Sequence, residues 1–181
     1  MTSTLMFTLA FVGYVVALVF AILQLVNTKE RISRAAFWTF FLGFALHTIA
    51  IFVRWAEGGD VEVAALEAAE KRTLEGAEWL GVWLSHPPWS NLYESLVSFG
   101  WGVSGVSLVA VRRFKIPLLG LFAVSLSLLV LGAASLLINQ DITPLIPALQ
   151  SKWIHLHVTM ATICYPAFGL AAILGLFYLM K

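Results

Sequence analysis

Charge is scarce in this sequence. Asp, Glu, Lys and Arg make up 12% of its 181 residues, about half the share found in an ordinary soluble domain. Net charge is +1, so no basic surplus argues for nucleic acid, and none is expected as a partner. Cysteine is scarcer still. Cys164 stands alone, which excludes an internal disulfide and a Cys-x-x-Cys redox or metal site. A secretory leader pattern is also missing. Met1 to Asn27 has no basic start and no small-residue cleavage site, and it reads as a retained first helix. No soluble second domain, repeat or low-complexity tract stands out.

What the chain has instead is apolar length. Hydrophobic residues make up 60% of it. They gather into five runs, at 5–26, 35–53, 92–111, 117–138 and 153–180, each near the ~20 residues that span a bilayer. The expected fold is all-α: a polytopic integral membrane protein of about five transmembrane helices, forming one domain over residues 1–181. Lys29, Arg31 and Arg34 follow the first run, Arg112, Arg113 and Lys115 follow the third, and Lys181 follows the fifth. Lys and Arg mark the cytoplasmic side. That rule places the N-terminus out, the C-terminus in, and residues 56–90 outside as a loop insertion.

This insertion carries seven acids and two bases between Glu57 and Ser90. Its first part is rich in Ala, Leu and Glu, which favour helix. Trp79, Leu80, Val82, Trp83 and Leu84 are expected to dip into the membrane interface. An acidic solvated spacer is the plainer alternative, and a basic partner for the acids is another. Trp55, Trp79, Trp83, Trp89 and Trp153 all fall near the outer boundary in this topology. Anchoring explains any one of them, whereas five on one side also suit a flat aromatic ligand.

The stretch HPPWSNLYES, His86 to Ser95, stands just ahead of the third run. Pro87 and Pro88 stop a helix arriving from the insertion. Asn91 is a good N-cap and Glu94 lies three residues on, an Asn version of the capping box. Ser98, Gly102 and Gly105 then give small residues at near-helical spacing, which let another helix approach closely. Local physics thus accounts for a structural helix cap at Asn91 and Glu94, but not for His86 or Tyr93.

These residues carry a resemblance. PPWSNLYESLVSFGW (Pro87–Trp101) resembles the Gly-His-x-Pro-x-Ser-Asn-Leu-Tyr-Glu-Ser run of the CcsA/ResC cytochrome c biogenesis proteins, the membrane subunits of the system II haem lyase. GFALHTIAIFVRW (Gly43–Trp55) resembles the helix before that motif. IPALQSKWIHLHVTMATICYPAF (Ile146–Phe168) resembles the family's Leu-Gln-Ser-x-Trp-Leu-x-x-His-Val segment. Two departures stand out. The link between Arg54-Trp55 and the Ser-Asn-Leu-Tyr-Glu-Ser motif holds an insertion of more than twenty residues. The family's Trp-rich WWD haem-binding segment lies beyond the equivalent of Lys181, so the resemblance is to an N-terminal half. A split gene product, a truncation or a reduced paralogue would each produce this.

The resemblance implies haem, b-type and transient, as the cofactor, with His157 as an external axial ligand to its iron; imidazole is a normal haem ligand. The only metal expected at His157 is that iron. Trp153, one turn earlier, and Trp89 would add an aromatic platform. The plainer account of His157 is an interfacial histidine bonded to water or a carbonyl. His155 points to nearly the opposite side of the same helix and reads as a headgroup or loop contact. His47 lies about eight residues, roughly 12 Å, inside the second run; it is a candidate haem contact with a structural role as the alternative. Arg54 is available to a haem propionate or to a lipid phosphate. His86 fits the family's histidine position, as loop structure or haem-edge contact. Cys164 reads as a small apolar filler, Pro166 as a kink.

The function this implies is membrane-based cytochrome c biogenesis, with haem held near the outer face for covalent attachment to apocytochrome c. The expected partners are a CcsB/ResB-type membrane subunit, the WWD-containing half, apocytochrome c and the lipid bilayer. On the family's terms the chain would be part of a haem lyase (holocytochrome c synthase) and not self-sufficient. No catalytic residue is assigned. A bacterial inner (cytoplasmic) membrane or a thylakoid-type membrane is the expected location. The alternative is a non-enzymatic haem-binding or scaffold subunit of a membrane complex.

Overall fold

The computed structural model describes every residue except 1, 28, 147, 148, 150 and 181. Lys181, one of the bases used for orientation, and Pro147, Ala148 and Gln150 of the 146–168 stretch therefore lie outside the described residues. Six helices follow in order: α1 Thr2–Val26, α2 Glu30–Glu70, α3 Gly76–Leu84, α4 Leu92–Phe114, α5 Pro117–Leu137 and α6 Lys152–Leu179. Among the described residues there is no strand. All but α3 are long and apolar enough to cross a bilayer. The chain is thus an all-helical polytopic membrane protein.

In lipid, apolar surface gives helices little reason to associate, so close approach at small residues and interhelical hydrogen bonds carry the packing. Both devices are present. α1 lies along α2 at a glycine pair, where a Cβ on Gly13 would sit 3.0 Å from Gly43 Cα. α4 lies along α5, and Ser104 and Ser127 hydrogen-bond across them at 2.8 Å. Trp101 Nε1 on α4 donates to Thr48 Oγ1 on α2 at 2.8 Å. Phe7, Tyr14, Phe40, Tyr93 and Leu131 form the centre of the core. The α4–α5 turn is tight. Lys115 takes a left-handed conformation (φ 56°), its N–H caps onto Val111 O, and Pro117 starts α5, a position where its missing N–H costs nothing.

The second apolar run ends at residue 53, but the helix does not. α2 continues to Glu70, 41 residues in all. That is about 62 Å of helix, twice the ~30 Å hydrocarbon core. Falling hydropathy ends the apolar run while Ala, Leu and Glu keep the backbone helical. α3 then returns along this extension. Glycines 58 and 59 make room for it: a Cβ on Gly58 would lie 2.6 Å from the His86 ring, and one on Gly59 would lie 2.6 Å from the Trp83 carbonyl oxygen. The insertion is therefore a helical hairpin.

Six of its seven carboxylates have partners within the protein. Glu57 takes the Ser3 N–H and hydroxyl, Asp60 takes Trp83 Nε1 at 2.9 Å, and Glu62 meets His86 Nδ1 at 3.0 Å. Glu67 takes the Leu74 N–H, and Glu70 and Glu78 both bind Arg72. The Arg72 guanidinium holds the Glu78 carboxyl below the usual carboxylate range. On α3, Trp79, Leu80 and Leu84 stay open, with Trp79 stacked on Trp83 at 5.9 Å.

Candidate functional site

α6 begins at Ser151, whose hydroxyl accepts from the Trp153 N–H at 3.4 Å. It packs on α4, leaving most of its surface bare. Residues 155, 158, 159 and 162 turn toward the rest of the protein. Trp153 and His157, one turn apart and therefore on one face, turn away. Trp153 is 78% exposed and His157 is exposed as well. Down the same side run Met160, Cys164 and Phe168, all exposed. His155 goes the other way. Its ring lies 6.2 Å from that of Trp89, beside Pro87, Leu145 and Leu149, so it is a loop contact.

The remaining histidines are enclosed. His86 is fully buried against Gly58 and pairs with Glu62, whose carboxylate also takes the Leu145 N–H at 2.9 Å. His47 is fully buried too; its Nδ1 lies 3.2 Å from the Tyr14 hydroxyl, and the Phe7 ring meets it edge-on. Protein atoms enclose both rings, and the Nε2 of each makes no hydrogen bond among the described residues. Arg54 is 3% exposed, its Nε donating to Glu94 Oε1 at 2.9 Å and its guanidinium lying 5.2 Å from the Tyr93 ring centre. Asn91 Oδ1 accepts from the Glu94 N–H at 2.9 Å. Glu94 reaches back one residue beyond the cap, to the Ser90 N–H and hydroxyl. Tyr93, which local physics left unexplained, is the wall between this ion pair and Phe7.

The structure thus separates the sequence's candidates into two groups. Arg54, His47 and His86 are internal, each held by another side chain. Trp153 and His157 share an open face. Trp89 lies between, lining a cleft of about 290 Å³ with Trp55, Trp101, Phe52, Pro88 and Thr162. That sits at the lower limit of the range of about 300–1,000 Å³ typical of ligand pockets. Sequence reasoning missed Glu62, Tyr14 and Trp101 as partners. No local pattern marks them, because each partner is 24 or more residues away.

The sequence profile of a family described as cytochrome C assembly protein matches residues 89–181, from Trp89 through α4, α5 and α6. The cytochrome c biogenesis protein CcsA of Trichormus variabilis is 30% identical over 163 residues, 87% of this chain and 46% of that protein. CcsA from a Synechocystis species is 28% identical over 162 residues, again 87% of this chain and 48% of its own. CcsA from Trichodesmium erythraeum is 36% identical over 110 residues, 59% of this chain and 31% of its own. The chain spans about half the length of the curated relatives it matches. No solved structure matches it. With the profile running over half the chain, this protein belongs to the cytochrome C assembly protein family.

Proposed function

We propose that the chain serves cytochrome c biogenesis by presenting haem, as substrate, at the outer end of α6, with His157 as an iron ligand and Trp153 beside it. The observation that carries this is the open face shared by those two side chains, in contrast to the enclosed His47 and His86. Imidazole donates well to haem iron, and an exposed indole one turn away offers a flat surface for the macrocycle. Haem supplies the vinyl groups that add to the Cys-x-x-Cys-His thiols of apocytochrome c. The protein's part is to hold it in place, which removes orientational cost from the addition. The N-terminus and the α2–α3 hairpin would lie outside, as the loop charges direct. Partners on this reading are a CcsB/ResB-type subunit, a WWD-containing half and apocytochrome c. The cyanobacterial relatives favour a thylakoid or inner membrane.

Absorption spectra of the protein purified with its partners co-expressed test this. The wild type should carry a Soret band, His157→Ala should lose most of it, and His155→Ala should keep it. Haem retained in His157→Ala, or absent throughout, rejects the ligand role. Haem lost without any effect on cytochrome c maturation would favour a scaffold subunit.

A further inference from the structure

At the opposite end of the bundle the two helix hairpins leave a groove. Its walls come from the start of α2 (Arg34, Phe37, Trp38) and the end of α4 with its turn (Arg112, Lys115), and its open cavity measures about 400 Å³. Gln24 on α1 donates to Ser33 Oγ at 2.9 Å and supplies a polar floor. Three cations thus face one acid, Glu30. Among the described residues that acid pairs only with Arg34, at 3.6 Å, with both side chains largely exposed, an arrangement that binds little. Arg112 and Lys115 take part in no ion pair among the described residues. Arg112 lies over the Phe37 ring, 5.8 Å from its centre, so the guanidinium is steered into the groove. The fold has brought these bases together from positions nearly eighty residues apart. The acid-rich insertion, by contrast, ties six of its seven carboxylates to partners within the protein.

We propose that this groove binds the headgroup of an anionic phospholipid. Guanidinium forks match phosphate oxygens, and basic pockets between transmembrane helices suit anionic headgroups. The groove also has an apolar side that a free anion would not need. Trp38 is 59% exposed, packs edge-on against Phe37 and Phe41, and continues into exposed Phe41 and Leu42. Acyl chains descending from a bound headgroup would run along this surface, with the indole at headgroup level. Such a lipid would bridge the α1–α2 and α4–α5 hairpins. The site is independent of the haem face on α6.

Native mass spectrometry of the detergent-purified protein with dioleoyl-phosphatidylglycerol or dioleoyl-phosphatidylcholine provides the test. The wild type should retain the anionic lipid about tenfold better. Arg112→Gln/Lys115→Gln should abolish that preference, while Arg31→Gln/Arg113→Gln, with the same change in charge, should preserve it. In nanodiscs, brominated phosphatidylglycerol should quench wild-type tryptophan emission more than brominated phosphatidylcholine does, and Trp38→Phe should remove the difference. Equal retention of the two lipids, equal loss in both double variants, or unchanged quenching in Trp38→Phe overturns the proposal. So does displacement of the lipid by millimolar inorganic phosphate, which would mark a plain anion site, or preferential occupation by haemin.

Discussion

Glu94→Ala is expected to destabilise the protein by about 3–5 kcal/mol, the cost of stranding a buried charge. The cause lies in what Glu94 serves. One carboxylate oxygen takes Arg54 Nε at 2.9 Å, and the other takes the Ser90 N–H and hydroxyl. Arg54 and Glu94 are only 3% and 1% exposed, so water cannot replace the lost partner. Arg54 would keep the carbonyl of Asp141, at 3.5 Å, and the face of Tyr93. These are weaker hosts for a cation. Arg54→Ala should cost a similar amount. The double variant Arg54→Met/Glu94→Leu should recover more than half the loss, because it removes both desolvation penalties together. Thermal unfolding of the purified protein in detergent, read by circular dichroism, decides this. Single variants no worse than a surface substitution would mean that the pair is hydrated in the folded protein.

Gly102→Ala is the second large expectation, at about 1–3 kcal/mol and toward the upper end. Pro166 has no N–H to offer the carbonyl of Thr162 four residues before it. That carbonyl instead points at α4, where Gly102 lies against it. A Cβ at 102 would land on the carbonyl oxygen, with Pro166 Cγ 3.2 Å away on the other side. A backbone oxygen cannot rotate aside, so the helices must part, and α4 is the helix α6 leans on. Gly169→Ala is the control, since a Cβ there meets nothing within 4 Å. Limited proteolysis of the 139–151 segment, alongside thermal unfolding, should show early release of α6 in Gly102→Ala only.

The sequence makes the five long helices legible because runs of apolar residues near bilayer length have few other uses. The cap at Asn91 was equally readable, since donor and acceptor are three residues apart. What the sequence hides is pairing at a distance. Arg54 could be placed at a helix end, where a haem propionate or lipid phosphate was as reasonable a partner as any. Its carboxylate is forty residues away on another helix, and helical periodicity reports a face, not the neighbour on it. His47 and His86 carry the same lesson with Tyr14 and Glu62. The end of α2 was obscured for a different reason. Hydropathy and helix propensity part company after Trp55, and only the first was strong enough to mark a boundary. The face shared by Trp153 and His157 was legible from their four-residue spacing; that it is open was not, because openness depends on which helices pack against α6.

α2 passes from the basic end of the bundle to the tip of the insertion without a joint, its glycine pair buttressed by His86 and Trp83. A rod of about 62 Å behaves as a lever: a change of about ten degrees in its tilt sweeps the tip sideways by about 10 Å. Helices tilt further in thinner bilayers. The stacked indoles of α3 ride on that extension, with Trp83 seated at Gly59 and Asp60, so their lateral position follows bilayer thickness as well as the protein's own contacts.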